Sequence, residues 1–364
     1  MRNILIFSLC LLFLSVSAYA DWEWVKNIDA SDVLGTGRLK NIEADANGSL
    51  YFTTNFGGDP RYIWKIANPI TETTPNITQF TTDSYGSLNG GDISISSGGN
   101  VYMELDYGYD TSEIRKYKSN GALDTSSYGG DGIIGPPVGD NKSMRCICYV
   151  ESENVLLAGT FEAYPVHLFS VNAITGATYE NQINVYSCES EVGDVTAINS
   201  QAFGIDYDPV EKAIYYNAFG DLIKLTSSGT PDLTDLTTFD TYELIDDETR
   251  NASISIGLGM DLASRLVAST AYQGPGNAMQ IIVYNMDTGE KEFVGPVSGE
   301  DGYINLGGAC DVFTFSEETY LAAMSYYGNS INLFKYSPPL PTPTPLATST
   351  PSSGMEDGAW EIYY

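Results

Sequence analysis

The chain has 364 residues, and its seventeen Lys and Arg stand against forty-seven Asp and Glu for a formal net charge of −30. Such a field repels nucleic acid and anionic membrane surfaces, favours cations and basic partners, and keeps a β-rich surface in solution. The single histidine, His167, excludes chemistry that uses two histidines as acid and base.

Residues 1–20 read as a secretory signal peptide. Arg2 supplies the positive start, residues 4–16 the apolar run, and Ala18-Tyr19-Ala20 a small-x-small cleavage site. The run is shorter than the ~20 residues that a helix needs to cross a bilayer. No later segment qualifies, so no membrane insertion is expected. The mature chain is expected to begin near Asp21 and to be secreted, extracellular or held at the cell surface. Trp22-Glu23-Trp24-Val25-Lys26 follows as a strand with no local partner.

Six copies of one pattern then fill the chain. Ile42, Ile93, Ile147, Ile205, Leu258 and Val312 anchor the first strands, at separations of 51, 54, 58, 53 and 54 residues. Leu50, Val101, Val155, Ala213, Leu266 and Tyr320 open the second strands, each 8 residues past its anchor. Ile63, Ile114, Leu168, Leu222, Ile281 and Leu333 open the third strands, 21, 21, 21, 17, 23 and 21 residues past theirs. Two rulers that agree over six copies, in a chain rich in β-formers, predict an all-β six-bladed β-propeller with one four-stranded blade per repeat. Candidate outer strands lie at 77–81, 178–186 and 291–294. The sixth repeat has none of its own, because Pro338-Pro339 follows its third strand. The N-terminal strand is expected to supply it, closing the ring and covering an open sheet edge.

Residues 21–338 are thus assigned to the propeller and 339–354 to a linker rich in Pro, Thr and Ser, which cannot build a core. Residues 355–364 form a short tail, read as a contact peptide or the start of a truncated module. Cys146, Cys148, Cys188 and Cys310 remain after the signal. Buried free thiols are the default, with a bridge from Cys146 or Cys148 to Cys188 as the alternative.

The segment FGIDYDPVEKAIYYNAFGDLIKLTSSG, starting at Phe203, resembles blades of the six-bladed TolB-like propellers, which include the NHL-repeat, YWTD and gluconolactonase-like families. ADANGSLYF, starting at Ala44, has the same form. The resemblance covers nearly the whole mature chain. The YWTD tetrapeptide and the sialidase Asp box are absent. Gluconolactonase-like members hold a divalent metal with Glu, Asn and Asp near the axis, so the resemblance implies a lactonase-like hydrolase as one reading.

Side chains alternate along a strand, so the residues flanking each anchor share one face. These pairs are Asn41/Glu43, Asp92/Ser94, Cys146/Cys148, Gly204/Asp206, Gly257/Gly259 and Asp311/Phe313. Glu43, Asp92, Asp206 and Asp311 are therefore the candidate metal ligands, and an axial Ca²⁺ is the candidate cofactor, since hard cations take oxygen ligands. The same carboxylates also suit a plainer role as acceptors for backbone amides. No catalytic residues are assigned. Tyr107, Tyr109, Tyr272, Tyr326 and Tyr327 are candidate aromatic platforms for a sugar or a protein. The expected function is a secreted or surface-tethered, non-catalytic module binding an extracellular protein or glycan. The alternative is the metal-dependent hydrolase using the axial carboxylates.

Overall fold

Alternation of buried and half-exposed residues turns each repeat into an antiparallel sheet, as in Ser112–Tyr117, where Ser112, Ile114 and Tyr117 are buried. The computed structural model describes residues 21–34, 38–55, 61–84, 89–106, 112–135, 143–161, 167–184, 202–218, 221–246, 257–271, 280–295, 297–299, 302–304, 309–325 and 329–338. The expected leader, linker and tail, and Cys188, lie outside them.

Six four-stranded sheets follow one another. Blade 1 comprises Arg38–Ala44, Leu50–Asn55, Trp64–Ile66 and Ile77–Gln79. Blade 2 comprises Asn89–Ile95, Val101–Asp106, Ser112–Tyr117 and Ile133–Ile134. Blade 3 comprises Ser143–Val150, Val155–Phe161, His167–Asn172 and Ile183–Asn184. Blade 4 comprises Ala202–Asp208, Ala213–Ala218, Asp221–Thr226 and Thr241–Asp246. Blade 5 comprises Leu258–Asp261, Leu266–Ala271, Gln280–Asn285 and Lys291–Val294. Blade 6 comprises Cys310–Phe315, Glu318–Met324 and Ser330–Ser337, with Asp21–Asp29 as its outer strand. The first strand of each blade touches the first strand of the next all the way round, and that of blade 6 touches that of blade 1. The anchor strands therefore form the hub.

Apolar packing is divided among the blade interfaces. Six clusters of buried side chains each span two neighbouring blades. Each anchor packs against the blade before it. Ile93 packs with Tyr51 and Ile63 of blade 1, and Ile205 with Val155 and Leu157 of blade 3. The opposite face of each inner strand is left to the axis and to the following blade.

The N-terminal strand closes the ring as expected. It pairs with Ser330–Ser337, and it also holds both neighbouring blades. The Trp22 indole packs on Tyr336 at 5.0 Å and donates to Glu292 of blade 5 at 3.0 Å. Lys26 Nζ donates to the carbonyls of Ile70 and Glu72 in blade 1.

The outer strands are shorter than their sequence suggests. The strand expected at 77–81 stops at Gln79, because the N–H groups of Phe80 and Thr81 both turn to the carbonyl of Ile63. Of the one expected at 178–186, the described residues show Ile183–Asn184 and isolated bridges from Thr178 to Val171 and from Asn181 to Asp235, and 185–186 lie outside them. The outer strand at Lys291–Val294 is observed. Ile133–Ile134 and Thr241–Asp246 had no expectation attached. Among the described residues no helix is long and apolar enough to cross a membrane.

If the N-terminal strand latches blade 6 to both neighbours, Trp22→Ala lowers stability by about 1–3 kcal/mol. Urea denaturation read by tryptophan fluorescence and by circular dichroism checks this. A change below about 0.5 kcal/mol would show that the latch contributes little.

Candidate functional site

A kink in the first strands aims the hub side chains. In blades 1 to 4 the pairing of first and second strands slips by one residue just before the anchor. The slips lie between Leu39 and Ile42, Gly90 and Ile93, Met144 and Cys146, and Ala202 and Gly204. Each slip is a β-bulge on the inner strand, which bends the strand, sharpens its twist and redirects a side chain. Blades 5 and 6 pair without a slip over Leu258–Asp261 and Cys310–Phe315.

The four expected ligands divide by position, Asp92 and Asp311 just before their anchors, Glu43 and Asp206 just after theirs. Asp92 and Asp311 are buried between blades and bind the next blade's backbone. Asp92 accepts from the N–H of Ile147 in blade 3 at 2.8 Å, and from its own strand at Ile93. It also accepts from the Asn41 side-chain amide of blade 1. Asp311 accepts from the N–H of Ala44 in blade 1 at 2.7 Å. Ser94 repeats the device, accepting from the N–H of Tyr149 at 3.0 Å. The plainer role, acceptor for backbone amides, thus applies to Asp92 and Asp311.

Glu43 and Asp206 are half-buried. Asp206 accepts from the Cys148 thiol at 3.2 Å. Among the described residues no hydrogen bond reaches the Glu43 carboxylate. Glu43 is pushed well above the usual carboxylate range, first by burial and then by the charges of Asp311, Asp206 and Asp92. That mutual repulsion places all four acids in one electrostatic cluster. Burial raises Asp206 to about 7, against the opposing hydrogen bond from Cys148. Burial also raises Asp92 and Asp311, although the backbone N–H groups that they accept from work the other way.

Small residues let the hub close this tightly. A Cβ on Gly259 would lie 2.3 Å from the Asp311 carboxylate, and one on Gly204 would lie 2.5 Å from the Leu258 Cβ. Cys146, Cys148 and Cys310 are buried and unbridged. Burial raises the thiol of each, so they stay neutral. His167 opens the third strand of blade 3, two strands away from the hub. Among the described residues, no three His, Cys, Asp or Glu side chains are arranged to hold a metal ion. Glu43 accepts no hydrogen bond among the described residues, Asp206 accepts from Cys148 and from the Tyr207 N–H, and the oxygen chemistry of both fits a hard cation such as Ca²⁺.

A second pattern escaped the sequence reading. In blades 1, 2, 4 and 6 a tyrosine of the second strand lies directly opposite a lysine of the third. The pairs are Tyr51 with Lys65, Tyr102 with Lys116, Tyr215 with Lys224, and Tyr320 with Lys335. Three of the ammonium groups sit over the ring, at 4.5, 5.8 and 5.6 Å from its centre. An acid joins each pair: Asp45, Asp124, Glu211 and Glu318 respectively. The signal was present in the chain, because each of these lysines falls two residues after its third-strand opening residue. Tyr107, Tyr109, Tyr272, Tyr326 and Tyr327 lie outside the described residues.

Comparison with known proteins agrees with this architecture. No protein-family model matches the chain, and no curated protein matches its sequence. Solved structures do match. The chain is similar to the β-propeller domain of Cps50 (Swd1) from Myceliophteria thermophila, with a TM-score of 0.53 and 12% identity, over 87% of this chain and 100% of that one. It is also similar to a putative TolB from Agrobacterium tumefaciens, with a TM-score of 0.50 and 12% identity, over 87% of this chain and 99% of that one. The fold is a β-propeller, shared with the putative TolB structure. At such identities the likeness extends to the fold alone.

The raised carboxylates set a pH dependence. A carboxyl group with a raised folded-state pKa contributes stability that is complete below its unfolded value, about 4, and is lost as pH rises through the folded value. For Asp206 that window runs from the unfolded value up to about 7. With a chelator present, the urea midpoint should fall across this window in the natural protein and fall less in Asp206→Asn. Identical pH profiles for the two proteins would contradict the assignment.

Proposed function

We propose that this protein is a non-catalytic propeller module that binds an extracellular protein or glycan and holds a cation, Ca²⁺ by preference, at its hub. The observation that carries the reading is the cluster of Glu43, Asp92, Asp206 and Asp311, in which the charges of the other three raise Glu43. The Lys40 charge lowers Asp92, but burial raises all four acids, and a cation that neutralises buried like charges is favoured. With Asp92 and Asp311 partly committed to backbone amides, Glu43 and Asp206 would provide the ligands that respond to the ion. Water and backbone carbonyls would complete its coordination, a donor set that gives modest affinity.

The leader at residues 1–20 would take the chain out of the cytoplasm, and the linker at 339–354 would tether it. A binding role is preferred to catalysis because the hub offers carboxylates, amides and neutral thiols. The single histidine begins a strand two removed from it. The lactonase-like hydrolase is the alternative, and it would use the same carboxylates.

Calorimetric titration of chelator-treated protein distinguishes these readings. Heat is expected with Ca²⁺, with loss of that heat in Glu43→Gln and in Asp206→Asn. Flat traces with both Ca²⁺ and Zn²⁺ would contradict the axial cation. A panel of lactones is expected to give no turnover. Turnover that disappears in both Asp92→Ala and Asp206→Ala would replace the binding reading with the hydrolase.

A further inference from the structure

Away from the hub, where first strands turn into second strands, a cavity of about 220 Å³ opens between blades 1 and 2. Tyr51, Lys65 and Asp45 form one side of it, and the turn at residues 96–99 together with Ser119 forms the other. In two other blades with the tyrosine–lysine pair, the following blade sets a second tyrosine near the first. Tyr149 packs against Tyr102 at 4.5 Å, and Tyr284 lies 6.5 Å from Tyr215. Next to Tyr51 the following blade offers Ser96, Ser97, Gly98 and Gly99, which carry nothing larger than a hydroxymethyl group. Tyr51 is itself buried, packing with Ile93 and Ile95 of blade 2 and on Phe80, and the small turn leaves room beside it.

The small turn is held in place. Ser97 donates from its N–H and from its hydroxyl to Glu151 of blade 3, both at 2.9 Å. The Ser96 hydroxyl accepts from the N–H of Asn100 at 3.0 Å. On the other side, Asp45 accepts from the N–H groups of Asn47 and Ser49, and from the Tyr51 hydroxyl at 3.2 Å. Lys65 donates to Asp45 at 3.4 Å and to Tyr51. Burial acts to lower the Lys65 ammonium, but its bonds to Tyr51 and Asp45 outweigh this and hold it above its ordinary value. It stays charged, and an ammonium has three N–H groups, so one remains to donate into the cavity.

Asp45 and Lys65 cancel each other's charge. An anion would have to pull Lys65 from Asp45, and a cation would have to pull Asp45 from Lys65. A neutral molecule with several hydroxyls can use donor and acceptor together without breaking the pair. The volume is below the roughly 300–1,000 Å³ of sites for drug-sized ligands. We propose that this cavity binds a single neutral sugar ring, the terminal unit of a glycan. The proposal rests on the binding-module reading and gives that reading a ligand class and a place.

Saturation-transfer NMR on the full chain tests it, with the methyl glycosides of glucose, galactose, mannose and N-acetylglucosamine at millimolar concentration. Transfer is expected to at least one of them. It should disappear in Ser119→Trp, where an exposed position places an indole in the cavity, and Lys65→Met should weaken binding roughly tenfold. No transfer to any of these sugars, or transfer unchanged in both variants, overturns the proposal. Calcium heats measured on the same samples separate the two claims. Sugar signals absent while calcium heats persist remove the cavity alone, and calcium heats lost in the natural protein remove the hub reading alone.

Discussion

Closing six wedges around one axis forces every inner strand to be two-sided. The anchor residue must fill space against the blade behind, while its neighbours must be small or must bond to the blade ahead. Ile42, Ile93, Ile147, Ile205, Leu258 and Val312 meet the first demand. Gly204 and Gly259 meet the second by size. Asp92, Ser94 and Asp311 meet it by accepting a backbone N–H across the gap. Those contacts are sheet-like bonds made by side chains, and they fix the spacing of blades that share no ladder.

The same constraint creates the hub's chemistry. Carboxylates that reach across a narrow ring must come close to one another, and burial strengthens their repulsion. Asp92 and Asp311 gain backbone partners from the next blade, and Asp206 a thiol partner from the blade before. Glu43, which the charges of the other three raise, leaves an acidic centre. Structural bonding and a cation-attracting centre therefore come from one set of residues.

The blade count, the order of strands and the N-terminal closure were legible because apolar anchors repeat at nearly constant spacing. The outer strands were harder to read. They face solvent on one side, so residues such as those at 133–134 carry little periodic signal. At the hub, alternation alone put Glu43, Asp92, Asp206 and Asp311 on one face. Which of them bind the next blade's backbone became visible only with the strands in place: Asp92 and Asp311, which do, precede their anchors, and Glu43 and Asp206 follow theirs. The tyrosine–lysine pairs were legible in principle, since Lys65, Lys116, Lys224 and Lys335 keep one offset. They depend on cross-strand register, which becomes visible only once the strands are paired.

Whether the acids meet across the axis is measurable by a double-mutant cycle. Glu43→Gln, Asp206→Asn and the double variant would be compared by urea denaturation near neutral pH with a chelator present. Either change alone should relieve repulsion and raise stability, and the second change should then gain less. A coupling energy above about 0.5 kcal/mol is the expected result. Strict additivity, or single variants less stable than the natural protein, would contradict a shared acidic centre.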